Sequence, residues 1–256
     1  MRILYLGDIV GEKTIEVLNK YLDEIKRENR IHLVLCNAEN VTKGKGLSLK
    51  HYKELKALGI AGMSMGNHTF SKSEIKDYIN DATICRPLNL NTEYGKGCIY
   101  IKYNNEKIAL INLMGRVFLN TPLDCPFKTL DKVLEGIKAD KIIVDFHAEA
   151  TSEKKALFYD FAGKVDAILG SHTHIQTSDN QVYNNTCYIT DMGMCGPFES
   201  ILGDDKEEII TRFRSGIYEP LKVASGNVYE INEGLISVFA IIWVPICARH
   251  FMYSFT

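Results

Sequence analysis

Residues 2–8 read Arg2-Ile3-Leu4-Tyr5-Leu6-Gly7-Asp8. A short apolar run that stops at a glycine and a carboxylate predicts a buried strand over Arg2–Leu6. The period then changes: Ile15, Leu18, Leu22 and Ile25 stand at helical spacing and predict a helix over Lys13–Arg27. The pair recurs. Ile31–Cys36 predicts a second strand ending at Asn37-Ala38-Glu39-Asn40, and Ser48 reads as the N-cap of a helix with Tyr52, Leu55 and Leu58 on one face. Ile60–Met65 predicts a third strand running into Gly66-Asn67-His68, and Ser71 with Glu74 stands at capping-box spacing for one more helix. Such alternation implies right-handed crossovers and a largely parallel sheet covered by helices: an α/β fold.

Further along, Cys98–Tyr103 and Lys107–Asn112 flank Asn104-Asn105, which predicts a hairpin and brings in an antiparallel element. Lys141–Phe146 and Ala167–Gly170 read as short apolar strands separated by a helix over Glu153–Ala162. Gln181–Asp191 reads as a strand pair around Asn184-Asn185, and Asp204-Asp205-Lys206-Glu207-Glu208 as a charged helix start. Without a repeat, low-complexity tract or long linker, the reading is one domain over 1–256.

Composition narrows the function. Of 256 residues, 46% are hydrophobic and 24% charged, as in a folded soluble protein and not a disordered one. The net charge of −2 argues against a protein that coats nucleic acid or an anionic membrane, but leaves room for a small phosphorylated substrate. Seven cysteines, odd in number and never spaced as Cys-x-x-Cys, suit reduced thiols in a cytoplasm. No signal-peptide pattern opens the chain. The apolar run Leu235–Ala248 is shorter than the roughly 20 residues a bilayer span needs, and Pro245 interrupts it, so no membrane partner is expected.

Polar residues collect after the predicted strands, where loops of an open α/β sheet converge. In chain order these are Asp8, Glu39 with Asn40, Asn67 with His68, His147, and His172 with His174. Four of the seven histidines fall at these positions. The i, i+2 spacing of His172 and His174 would point both rings to one side of an extended backbone. Oxygen and nitrogen ligands without thiolate suit Fe, Mn, Co or Zn, and seven of them exceed the four a structural zinc takes. They suit two ions sharing a carboxylate. Two ions roughly 3.5–4 Å apart can clamp a phosphoryl oxygen and generate a hydroxide for in-line attack. Taken singly, each group has a plainer explanation: Asp8 as a helix cap, Glu39-Asn40 as a loop pair, Asn67-His68 as a turn, His147 as a core histidine. Their joint order is what points to phosphoester hydrolysis.

These residues resemble the calcineurin-like metallophosphoesterases, whose ligands run as an aspartate motif, a second acidic motif, Gly-Asn-His, a lone histidine and Gly-His-x-His. Here the corresponding stretches are Gly7-Asp8, Ala38-Glu39-Asn40, Gly66-Asn67-His68, His147 and Gly170-Ser171-His172-Thr173-His174. More narrowly, the chain is similar to the bacterial YmdB-like branch of cyclic-nucleotide phosphodiesterases. That likeness is carried by Leu6–Gly11, Asn37–Asn40, Asn112–Phe118, Asp145–Lys154, Ser171–Thr177 and Tyr188–Met194, and covers about residues 1–230. Relative to the wider superfamily, Val10 stands where a histidine is usual, Glu39 where an aspartate is commoner, and Thr69 where an aspartate often orients the catalytic histidine.

The resemblance implies a four-layer α-β-β-α sandwich of two mixed sheets flanked by helices. It implies one metal on Asp8, Glu39, Asn40 and His174, and a second on Glu39, Asn67, His147 and His172, with Glu39 bridging. It implies His68 as general acid, iron as the metal with manganese able to substitute, and a 2′,3′-cyclic nucleotide as substrate, opened to a 3′-phosphate. Phosphomonoesterase, nuclease or protein phosphatase activity on the same site is the alternative, as is a regulatory binding protein without turnover. Lys43-Gly44-Lys45-Gly46 reads equally as a phosphate contact or a solvated loop, and Arg116 more simply as a structural ion pair than a substrate contact. The ending, residues 233–256, is atypically apolar and aromatic. A final strand with a tail, an oligomer contact and a frameshifted gene end all account for it, the last slightly best; intact mass and the gene's 3′ sequence decide. A homo-oligomer is compatible with this segment, though nothing fixes a subunit number.

Overall fold

The hydrophobic pattern of the first strand already sorts the layers. Strand β1 (Arg2–Val10) turns Leu4 and Leu6 toward one side and Ile3 and Tyr5 toward the other, and both sides are buried. Helix α1 (Lys13–Glu28), strand β2 (Leu33–Asn40), helix α2 (Leu49–Ala57), strand β3 (Ile60–Ser64), the single turn α3 (Ile75–Tyr78) and the two-residue β4 (Ile84–Cys85) follow. The chain continues through β5 (Cys98–Tyr103), β6 (Glu106–Met114), α4 (Pro126–Leu134), β7 (Lys141–His147), α5 (Thr151–Phe161) and β8 (Ala167–Ser171). Then come β9 (Gln181–Tyr183), β10 (Thr186–Ile189), β11 (Met194–Pro197), α6 (Lys206–Ser215), β12 (Val228–Ser237) and β13 (Val244–Ser254). The computed structural model describes residues 1–237 and, as backbone, 244–254.

Two mixed sheets result, ordered β13-β12-β11-β1-β2-β3-β4 and β5-β6-β7-β8-β10-β9. Ile3, Tyr5, Leu33 and Leu35 of the first meet Ile108, Leu110, Ile143 and Leu169 of the second in the central layer. Leu4 and Leu6 pack outward on Ile15, Leu18 and Leu22 of α1 and Leu55 of α2. On the far side, Ile111, Val144 and Phe146 pack on Leu130 of α4 and Leu157, Phe158 and Phe161 of α5. The four-layer sandwich of two mixed sheets flanked by helices is therefore present.

Both Asn-Asn turns close as two-residue hairpins, with Tyr103 opposite Glu106 and Tyr183 opposite Thr186. Asn184 and Asn185 both adopt positive φ, as the tight turn between right-twisted strands demands. Ser48 caps α2 by accepting from His51 N–H, and Asp205 caps α6.

Two expectations need correction. The strands carrying the site run past the predicted stops: β1 continues through Asp8 to Val10, with register shifts against β2 on either side of Asp8. β2 likewise includes Glu39 and Asn40. Ser71 and Glu74 form no capping box; the chain turns from Gly66 to Glu74 and only one helical turn follows, without a side-chain cap. Ser71 Oγ lies instead 3.3 Å from His68 Nδ1. At the ending, β13 pairs antiparallel with β12, from Val228 opposite Ser254 to Ser237 opposite Val244. Much of the apolar stretch singled out there, residues 238–243 with Trp243, and residues 255 and 256 lie outside the described residues. No helix among the described residues is long and apolar enough to cross a membrane.

Candidate metal centre

Parallel strands put their carboxyl ends on one edge of a sheet, and here the edges of both sheets meet. Asp8 comes from β1, Glu39 and Asn40 from β2, Asn67 and His68 from the turn after β3, His147 from the last position of β7, and His172 and His174 from the loop after β8. A hydrogen bond from backbone to side chain joins the two halves, His172 N–H donating to Asp8 Oδ2 at 3.2 Å. Gly66 has to be glycine: a Cβ there would strike the His147 ring and Glu39 Oε2. At Gly170 a Cβ would overlap the Thr190 carbonyl.

His147 Nε2 lies 3.0 Å from each of Glu39 Oε1, Asn67 Oδ1 and His172 Nδ1. One ring nitrogen makes one hydrogen bond, so three polar atoms around it exceed what hydrogen bonding explains. Glu39, His147 and His172 offer ligand atoms within 4.8 Å of one another and could hold a metal ion. Two further candidate ligands carry unsatisfied oxygens. Asp8 Oδ1 and Asn40 Oδ1 are both buried without a hydrogen-bond partner. The Asn40 amide is held the right way round for this, its Nδ2 donating to Gly44 O at 2.9 Å. Orphaned buried oxygens normally find partners, and a cation is a partner of the right charge. The donor set fits a bound metal ion.

Around these groups a second layer fixes tautomers and rings. Ser171 Oγ donates to Asp145 Oδ1 at 2.6 Å, so toward His147 Nδ1, 2.9 Å away, it accepts, which leaves Nε2 free for a ligand role. Asp145 is itself buried and bound by Tyr5 O–H, Ser64 O–H and Asn37 Nδ2. His172 sends Nε2 to Glu149 Oε2 at 3.0 Å, and His174 Nδ1 meets Leu202 O at 2.8 Å. His68 N–H donates to Glu39 Oε2 at 3.0 Å. Asn40 and His174 make no hydrogen bond to the other candidate ligands; the loop Lys43–Gly46 holds the former through Gly44 O and the backbone of Glu39 through Gly46 N–H. The described contacts of that loop are thus structural.

His172 and His174 do not share the face of an extended strand that their i, i+2 spacing predicts. β8 ends at Ser171, and both histidines sit at positive φ, 100° and 64°, in a bend and not on extended backbone. Buried Asp191 enforces that bend: it accepts from Thr173 N–H at 3.1 Å, Gly193 N–H at 2.8 Å and Lys154 Nζ at 2.7 Å. Arg116 also departs from expectation, since its guanidinium forms no ion pair among the described residues. Asp145, Ser171, Asp191, Lys154 and Glu149 escaped the sequence reading as site residues. One signal existed: Asp145 stands two residues before His147 on a strand and so shares its face.

In the metal-free chain, charge is distributed unevenly. Burial raises the Asp8 carboxyl to about 7, against the pull of His174 and His147. Burial would raise Glu39 too, but His147 beside it brings it down to about 2. His147, which burial alone would lower, is lifted to about 9 by Glu39. Burial and the neighbouring His147 press His172 down to about 3, and burial lowers His68. Metal ligands must be deprotonated, so loading at pH 7 displaces the His147 proton and part of the Asp8 proton. Titration calorimetry in buffers of different ionisation enthalpy should register release of between about one and two protons, and apparent affinity should rise with pH up to about 9. Binding without proton release contradicts this charge assignment.

Two mixed sheets in a helix-covered sandwich, with oxygen and nitrogen ligands gathered where their strand ends meet, define a metallophosphoesterase of the calcineurin-like class. A family model described as YmdB-like protein matches residues 4–240. The chain belongs to the YmdB-like family. It is 44% identical over 232 residues to a 2′,3′-cyclic-nucleotide 2′-phosphodiesterase of Bacillus subtilis (strain 168), covering 89% of this chain and 88% of the relative. A solved structure described as a novel phosphatase from Mycoplasma pneumoniae superposes with a TM-score of 0.91 at 37% identity, covering 99% of this chain and 93% of that one. A hypothetical protein from Thermus thermophilus superposes with a TM-score of 0.91 at 35% identity, over 99% of each chain.

Proposed function

We propose that the protein is a two-metal phosphodiesterase that opens 2′,3′-cyclic nucleotides to 3′-phosphates. The observations that support this reading are polar atoms crowded at one buried ring nitrogen and unsatisfied buried oxygens on two further candidate ligands. Three atoms crowd His147 Nε2, and two orphaned oxygens belong to Asp8 and Asn40. One ion would be held by Asp8, Glu39, Asn40 and His174, the other by Glu39, Asn67, His147 and His172. The donor chemistry suits iron, with manganese able to replace it. When bound, such a pair supplies Lewis-acid polarisation of the phosphoryl oxygens and lowers the pKa of water at the site toward neutrality.

The chain's own residues do the rest. Glu39 holds the His68 backbone through Oε2, and Ser71 Oγ beside Nδ1 steadies the ring, leaving Nε2 to carry the proton. As the oxygen of a water molecule bonds to phosphorus, releasing a proton to solvent, the bond between phosphorus and O2′ breaks; His68 protonates the leaving alkoxide, a 2′-hydroxyl forms, and the phosphate stays on O3′. Activity on the named substrate is also what the Bacillus subtilis relative's description carries.

Turnover of 2′,3′-cyclic AMP by protein stripped of metal and reloaded with iron or manganese tests the reading. Metal-dependent release of 3′-AMP, with little release of phosphate from nucleoside monophosphates, is the expected result. Preferred hydrolysis of monoesters would convert the assignment to a phosphomonoesterase, and two bound ions without any turnover to a binding protein.

A further inference from the structure

The loop after β6 is built in a way the metal cluster does not explain. It leaves the sheet beside the site: Met114 pairs with His147, and Gly115 N–H donates to His147 O at 2.9 Å. Its base is then pinned by a buried carboxylate at the start of α5. Glu153 accepts from Arg116 N–H at 3.0 and 3.1 Å through its two oxygens and from Val117 N–H at 3.2 Å. A carboxylate desolvated to hold two successive backbone amides makes a fixed platform.

What the platform presents is unusual on both counts. The Arg116 guanidinium is exposed and has no hydrogen bond or ion pair among the described residues. Phe118 is 82% exposed and sits at φ 63°, a conformation that a bulky L-residue rarely adopts. An aromatic ring held out in water in that conformation gains nothing from packing.

We infer that the Arg116–Phe118 loop is the nucleoside-binding arm of the site, Arg116 contacting the phosphate and Phe118 stacking on the base. The inference rests on the phosphodiesterase reading above. With Asp8 and Glu39 neutralised by cations, an unpaired guanidinium on this edge has an incoming anion as its natural partner. Two residues further on, about 7 Å along the chain at most, stands the planar ring. Backbone positions this close let one small ligand that carries a phosphate and an aromatic base reach both side chains. Base–aromatic stacking is tolerant of base identity, so the arm selects nucleotides over base-free phosphoesters without choosing among bases.

Titration calorimetry on manganese-loaded protein decides it, with 3′-AMP and glycerol phosphate as the two probes. The intact chain should bind 3′-AMP about tenfold more tightly than glycerol phosphate. Phe118→Ala should abolish that preference, Phe118→Trp should keep it, and Arg116→Ala should weaken both probes by similar factors. Equal affinity of the intact chain for the two probes, or a preference that survives Phe118→Ala, overturns the inference. Assaying 2′,3′-cyclic AMP on the same preparations separates the two claims. Preferential binding without ring opening removes the diesterase reading and keeps the arm, whereas ring opening without the preference does the reverse.

Discussion

His68→Ala should lower turnover of 2′,3′-cyclic AMP by about 10²–10⁴-fold while metal content stays near that of the intact chain. The expectation follows from where the side chain sits. Its backbone N–H is tied to Glu39 Oε2, but among the described residues its ring is engaged only by Ser71 Oγ and lies outside the crowd around His147 Nε2. Removing the ring therefore takes away a proton donor and no proposed ligand. A leaving alkoxide needs that proton; a nitrophenolate, far less basic, does not. The same variant should consequently lose much less on bis(p-nitrophenyl) phosphate than on the cyclic nucleotide. Parallel losses on both substrates, or loss of metal, would place His68 among the ligands instead.

The second large effect concerns stability. Lys154 and Asp191 are both buried, 2.7 Å apart, with Lys154 Nζ also donating to Ser171 O at 2.9 Å. Such a pair is weak evidence of net stabilisation while intact, since desolvation opposes the attraction. Removing one partner is a different matter, because the other charge stays buried alone. Lys154→Met should cost about 3–5 kcal/mol, on the order of 10 °C in melting temperature for a chain of this size. It should also weaken metal binding, since Asp191 anchors Thr173 N–H between His172 and His174. The pH dependence has a definite sign. Burial would raise the Asp191 carboxyl, but Lys154 holds it below the ordinary value. Its contribution is therefore present above the unfolded-state pKa and is lost as pH falls through the depressed one. The deficit of the variant should shrink in acid, and thermal melts at neutral and acid pH check this. A neutral-pH loss below about 1 kcal/mol would mean that the pair is not buried as described.

The elements up to residue 65 were legible because each one is long and periodic enough to declare itself, and because Ser48 caps as its chemistry dictates. The candidate ligands were legible for a different reason: polar residues at successive strand ends share an edge whatever the details of the loops. Less legible was anything fixed by a partner distant in sequence. Lys154 stands in a helix and looks like any surface lysine until Asp191 is brought beside it. The short strands β4 and β11 carry too few residues for a period, and β12 finds its place by pairing with β1 and β11. The turn at Ser71 misled because a capping box and a histidine-orienting hydroxyl use the same residue type. His172 and His174 lie in a bend that Asp191 ties down through Thr173 N–H, and not on an extended strand whose alternation a sequence displays.

The most direct test of the central claim is a crystal structure of manganese-loaded protein read by anomalous scattering. Two anomalous peaks are expected in the cleft between the sheet edges, both in contact with Glu39. One should also touch Asp8 and Asn40, and the other His147 and His172. A single peak, or two ions that share no carboxylate, would contradict the two-metal reading and with it the proposed chemistry.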